Sequence, residues 1–146
     1  MTGRRIRDED GSTLPLIIFY AALSLALILL VVAATSLYLE RKRLFTLADG
    51  ASLVGAESFS LSDVSQTSSG YRPVLRSGEV ASAVRDYLRD NPVKEFASLQ
   101  VDRAVSVDGR SATVELSAYW SPPVLSLLVP NGFRIQVTSV ARSVFS

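Results

Sequence analysis

Between Leu14 and Leu39 the chain reads LPLIIFYAALSLALILLVVAATSLYL, 26 residues without an acidic or basic side chain, bounded by Asp10 and Glu40. As a helix this run extends about 39 Å at ~1.5 Å per residue, against a hydrocarbon core of roughly 30 Å. It is long enough to cross a bilayer with tilt or to emerge a turn beyond it. A secretory signal carries a shorter apolar region, about 7–15 residues, before a small-residue cleavage site. Here the far end reads LYLERKR, a poor cleavage context. The run therefore predicts a lasting transmembrane helix over residues 14–39. Ser12 and Thr13 can cap its first amides, and Pro15 falls in the first turn, where a missing N–H costs little. Tyr20 and Tyr38 stand toward the two ends, where amphipathic rings suit the interface.

Charge does not orient this span. Arg4, Arg5 and Arg7 precede it and Arg41, Lys42 and Arg43 follow it, so the positive-inside rule is balanced. Architecture breaks the tie: residues 1–13 form a short stub, and the bulk of the chain lies on the other side. The expectation is a cytoplasmic stub and an extracytoplasmic domain on a single-pass protein of the cell membrane.

The helical rhythm continues past the span. In ERKRLFTLADGASLVGAESF, Leu44, Leu47, Ala48, Ala51, Val54 and Gly55 recur at steps of three and four, and no proline intervenes before Pro73. One helix from about Thr13 to about Glu57 is the simplest reading, with residues 40–57 as its extramembrane continuation. Small residues line it: Ala48, Ser52 and Ala56 at steps of four, Ala51 and Gly55 beside them, and Ala22 and Ala26 inside the span. Such spacing lets a second backbone approach closely, so these seven are candidates for helix packing. The alternative for Ala48, Ala51 and Gly55 is packing of the helix against its own domain.

Residues 58–77 are Ser-rich, contain Gly70 and Pro73, and read as a loop. SGEVASAVRDYLRDNP then sets Val80, Ala83, Val84, Tyr87 and Leu88 on one helical face and Arg85, Asp86, Arg89 and Asp90 on the other. Ser77 can cap this helix and Asn91-Pro92 ends it. Strand alternation follows on both sides of Asp108-Gly109, a strong hairpin-turn signal, with Ala112, Val114, Leu116, Ala118 and Trp120 on one face. A third run carries Phe133, Ile135 and Val137 on one face after a turn at Asn131-Gly132. Residues 58–146 are thus expected to form a small α+β domain: a short helix and a three-stranded antiparallel sheet. Between the last two strands, Val124, Leu125, Leu127 and Leu128 are strongly apolar, yet Pro122, Pro123 and Pro130 exclude a central strand. With Trp120 they form a candidate surface for the membrane or a partner subunit; the alternative is a crossover loop closing a thin core.

Composition excludes much chemistry. There are 15 Lys+Arg against 14 Asp+Glu, a net charge of +1, and no basic patch interleaved with aromatics, so no nucleic-acid partner is expected. With no cysteine and no histidine, thiolate zinc sites, Cys nucleophiles and Ser-His-Asp arrangements are ruled out. The remaining hydroxyls, lysines and carboxylates form no base–nucleophile pair. The expectation is a protein that is no enzyme, with no metal, no cofactor and no evident small-molecule substrate.

The order of these features is familiar. A charged stub, DGSTLPLIIF, a membrane span and then LYLERKRLFTLADGASLVGAE resemble the N-terminal region of TadE/TadG-like proteins of the tight-adherence (Tad, or Flp) pilus assembly systems. Leu39, Arg41, Arg43 and Leu44, followed by Leu47-Ala48-Asp49 and Ala51, match that family's sequence of span, arginine-rich patch and Ala-rich helix. The resemblance covers about Asp10 to Phe59. It implies a pilin-like fold, no catalysis, and partners among other pilin-like or pilus assembly subunits. It also implies a processing point at Gly11-Ser12, but the fifth residue after Gly11 is Leu16, where the pattern has a glutamate. In filaments that buried acid acts as a registry device. Its absence favours the TadG-like branch, which often lacks it. The reading is a minor pilin or pseudopilin-like membrane subunit acting through helix packing and protein contacts. The rival is an unrelated anchored envelope protein whose outer domain binds a ligand or cell-wall component.

Overall fold

The computed structural model describes residues 13–59, 64–67, 70–92, 96–121 and 132–143. Its elements are a helix α1 (Thr13–Ala56), a hairpin of strands β1 (Val64–Thr67) and β2 (Gly70–Pro73), a helix α2 (Ser77–Asp90), and strands β3 (Ala97–Val105), β4 (Ser111–Trp120) and β5 (Phe133–Arg142). This is the α+β arrangement the sequence predicts, with one long helix, one short helix and a three-stranded antiparallel sheet ordered β3-β4-β5. The chain divides after Thr35 into two compact units.

The first unit contains α1 as far as Thr35. Its large apolar side chains from Leu14 to Val32 are exposed, and no part of its most apolar window is buried. Helix α1 is 44 residues long, and it is the one helix among the described residues long and apolar enough to cross a membrane. Thr35 returns its hydroxyl to the carbonyl of Val31 at 2.9 Å, so even this polar side chain leaves no unpaired donor in an apolar setting.

The second unit, residues 36–146, is built around one buried sheet face. On β4 that face is Ala112, Val114, Leu116, Ala118 and Trp120; on β5 it is Ile135, Val137 and Ser139. The period-two alternation that predicted β4 delivers all five of its residues to the core. On β5, Ile135 and Val137 are buried, whereas Phe133 stays 51% exposed. Strand β4 pairs with β5 without a break, from Ser111 opposite Arg142 to Trp120 opposite Phe133. Strand β3 pairs less regularly, with register shifts between Ala97 and Gln100 and between Val101 and Arg103.

Two sequence expectations need correction. The Ser-rich segment read as a loop contains the antiparallel hairpin β1–β2, with Val64 opposite Pro73 and Thr67 opposite Gly70. VSQT and GYRP lack the apolar alternation that marks a half-buried strand, and Pro73 stands at the end of a two-stranded ribbon, where a missing N–H is tolerated. Ser77 does not cap α2. The residue in the N-cap position is Arg76, with extended backbone and no side-chain cap bond. The Ser77 hydroxyl instead donates to the carbonyl of Ser106 at 3.0 Å and accepts from its amide at 3.1 Å, pinning α2 to the end of β3.

Candidate functional site: the second half of the long helix

Within the second unit α1 carries a stripe of about two residues per turn, Leu44, Leu47, Ala48, Ala51, Ser52, Gly55 and Ala56, all buried. The stripe reaches back through the half-buried Glu40 to the half-buried Ser36. What covers it is this chain's own domain. Ser52 Oγ lies 3.1 Å from Ser139 Oγ on β5, and that hydroxyl donates to Asp49 Oδ1 at 3.0 Å. At the other end of the contact, the Trp120 indole N–H donates to Ser36 Oγ at 3.3 Å. Gly55 faces Ala112 on β4 together with Val80 and Val84 of α2.

These pairs fix how the helix runs. From Ser36 to Gly55 the helix advances about 28 Å, and from Trp120 back to Ala112 the strand covers about 27 Å. Helix α1 therefore lies antiparallel along the whole of β4. Small residues are needed because α2 covers the same sheet face. A Cβ at Gly55 would stand 3.1 Å from both Ala112 Cβ and Val80 Cγ1, and one at Gly50 would run into the Tyr87 hydroxyl. Leu44 and Leu116 of β4 are the largest fully buried side chains of this unit among the described residues.

Of the helix-packing candidates, Ala48, Ala51, Ser52, Gly55 and Ala56 come together beneath this sheet and are closed to another molecule while the domain is folded. Ala22 and Ala26, in the first unit, are exposed. The exposed residues of the continuation are Arg41, Lys42, Arg43, Phe45, Thr46, Asp49, Leu53 and Glu57. Phe45 and Leu53 are 47% and 54% exposed and stand eight residues apart, on one side of the helix. Periodicity could not separate them from the buried stripe, because α1 is apolar on several sides. Gly11 and Ser12, the candidate processing point, lie outside the described residues, as do Val124, Leu125, Leu127 and Leu128. Trp120 is described and is 7% exposed.

On the opposite sheet face, polar side chains pair with one another beside the exposed Tyr119 and Val140. Arg134 Nη2 donates to Asp102 Oδ1 at 2.7 Å and to Ser117 Oγ at 3.0 Å, and Gln136 donates to Glu115. Among the described residues, no group of three carboxylates is placed to hold a metal ion.

Residues 11–58 fit the family model described as "Putative Flp pilus-assembly TadE/G-like". The matched segment takes in all of α1 and ends two residues beyond it. The N-terminal segment of this chain is therefore TadE/G-like, as its span, basic patch and LAD sequence predicted. No curated protein matches the chain, and no solved structure does. The match over residues 11–58 and the one long apolar helix among the described residues fit a Tad pilus-related, single-pass membrane protein.

Proposed function

We propose that this protein is a minor pilin or pseudopilin-like subunit of a Tad/Flp-type pilus assembly or a related secretion apparatus, closer to the TadG-like branch. It acts by contacts and without a reaction. Residues 14–39 anchor it, residues 1–13 lie in the cytoplasm, and residues 58–146 with the continuation of α1 form an extracytoplasmic domain. Its partners are other small pilin-like membrane subunits. The observation that carries this reading is the match of residues 11–58 to the TadE/G-like family, over the same stretch that folds as α1.

The exposed side of α1 is the surface offered to those partners. Ala22 and Ala26 let a second helix approach within the bilayer, where close packing drives association. In the second unit, Phe45 and Leu53 are the exposed large apolar side chains of the continuation. A photo-crosslinking residue at position 45 or 53 in the full-length protein is expected to capture small membrane proteins of the pilin kind in producing cells. The same group at Arg85, on the exposed face of α2, serves as the comparison. Equal capture at all three positions, or capture of soluble proteins only, would count against assembly through α1.

A further inference from the structure

The bond between Trp120 and Ser36 has a consequence for the lipid surface. A hydrocarbon core of roughly 30 Å accommodates ~20 helical residues. Set anywhere within the uncharged run from Leu14 to Leu39, such a segment ends between Ala33 and Leu39. Ser36 is at the middle of that interval, so it lies within about 4.5 Å, three residues, of the hydrocarbon border. Whatever is hydrogen-bonded to Ser36 is held at the same level, and that is the indole of Trp120.

The side chains gathered at this end of the sheet have the chemistry of a lipid interface. Trp120 and Phe133 face each other across the β4–β5 pair with ring centroids 6.3 Å apart. Phe133, on the Trp120 side of the sheet, is 51% exposed, and Tyr119, on the other side, is 41% exposed. Tyr38 on α1, two residues past Ser36, is 65% exposed. Aromatic rings with a polar tip favour the zone between acyl chains and headgroups. Arg41 and Lys42 are exposed five and six residues past Ser36, about 8 Å further along the helix, at headgroup level. Their long side chains can reach phosphate oxygens while their stems stay near the apolar layer.

We propose that the β4–β5 end of the sheet is a membrane-seating surface. Tyr119 and Phe133 enter the lipid interface beside Tyr38, with the buried Trp120 held directly behind them at the same level, and Arg41 and Lys42 meet the phosphates of anionic phospholipids. The occupant is the bilayer surface, by continuity with the apolar run and by charge complementarity. The proposal rests on the reading of α1 as a membrane anchor.

Trp120 is the sole tryptophan, so its emission reports on this end of the molecule alone. The full-length protein would be reconstituted into phosphatidylcholine–phosphatidylglycerol vesicles carrying a doxyl spin label either near the glycerol or near the acyl-chain end. The reporter would be examined at its native place, in Trp120→Phe/Phe133→Trp, and in Trp120→Phe/Val107→Trp. Val107, 77% exposed, lies in the turn before β4 and serves as the distant control. The expected result is severalfold stronger quenching by the shallow label than by the deep one at positions 120 and 133. Position 133 is also expected to be shielded from aqueous iodide, with the reverse at 107. Protein that floats with the vesicles but shows no lipid quenching at 120 or 133 would overturn the seating surface alone. Protein that fails to float would overturn the anchor reading and this proposal with it. The native tryptophan reports the shallow-over-deep ordering by itself, so the proposal can fail or hold even where a variant does not fold.

Discussion

Gly55 stands where three elements meet, and the space left for it is smaller than a methyl group requires. Its neighbours are Ala112 of β4 and Val80 and Val84 of α2, all fully buried and unable to withdraw without moving their elements. Gly55→Leu is expected to destabilise the second unit by about 1–3 kcal/mol, the usual cost of overpacking a closed core, read as a lowered thermal midpoint. Leu53→Ser, on the open side of the same turn, should leave the midpoint nearly unchanged. Asp108 is the other residue whose role is local and measurable. Its carboxylate accepts from the Arg110 amide at 2.9 Å and from the amide and hydroxyl of Ser111 at 2.7 and 3.0 Å. These bonds, the Arg110 amide foremost, lower its pKa from 3.8 to about 2. The folded-state value lies below the unfolded one, so the stabilisation is complete above about pH 4 and fades as pH falls toward 2. The stability difference between the native protein and Asp108→Ala should shrink across that window and be constant above it. A difference that persists at pH 2 would mean the carboxylate's charge is not what the turn uses.

At the scale of elements, α1 serves as the wall of the domain that follows it. Removing the apolar half should therefore be tolerated, and removing the whole helix should not. A chain beginning at Ser36 is expected to keep the near-ultraviolet signal of Trp120 and a cooperative unfolding transition. One beginning at Phe59 exposes Ala112, Leu116, Ala118, Ile135 and Val137 at once and should lose both. Cooperative unfolding of the shorter chain would show that the sheet is closed by something other than α1. How much of this was readable in the sequence depends on whether a signal is local. The alternation from Ala112 to Trp120 and the unbroken run from Thr13 to Ala56 are periodic along the chain, and both elements follow from them. The β1–β2 hairpin has no apolar stripe and left only its Ser, Gly and Pro content to read. Ser77 looked like a cap because its true partner, Ser106, lies 29 residues away. The same holds for the candidate site. The small residues of α1 were legible as a close-packing surface, but what packs there is Ser139, Ala112 and Val80. Pairings of that range leave no trace in one sequence.

At the scale of the whole molecule, one helix runs through both compact units. Its first half presents Leu, Ile and Val on every side, as lipid contact requires. Its second half buries one stripe and exposes Arg41, Lys42, Phe45, Asp49 and Leu53. The TadE/G-like match ends two residues past that helix, which locates the family signature in the part that anchors and packs rather than in the sheet. The absence of cysteine makes the topology directly measurable, since each introduced thiol is the only one present. Val107→Cys places a thiol on a side chain 77% exposed in the second unit, and Ile28→Cys places one in the middle of the apolar run. In intact spheroplasts a membrane-impermeant maleimide is expected to label the first without lysis and to leave the second unlabelled until detergent is added. A thiol at position 107 that reacts only after lysis would put the domain inside the cell and contradict an extracytoplasmic pilus subunit. Reaction at position 28 in untreated spheroplasts would contradict the membrane span itself.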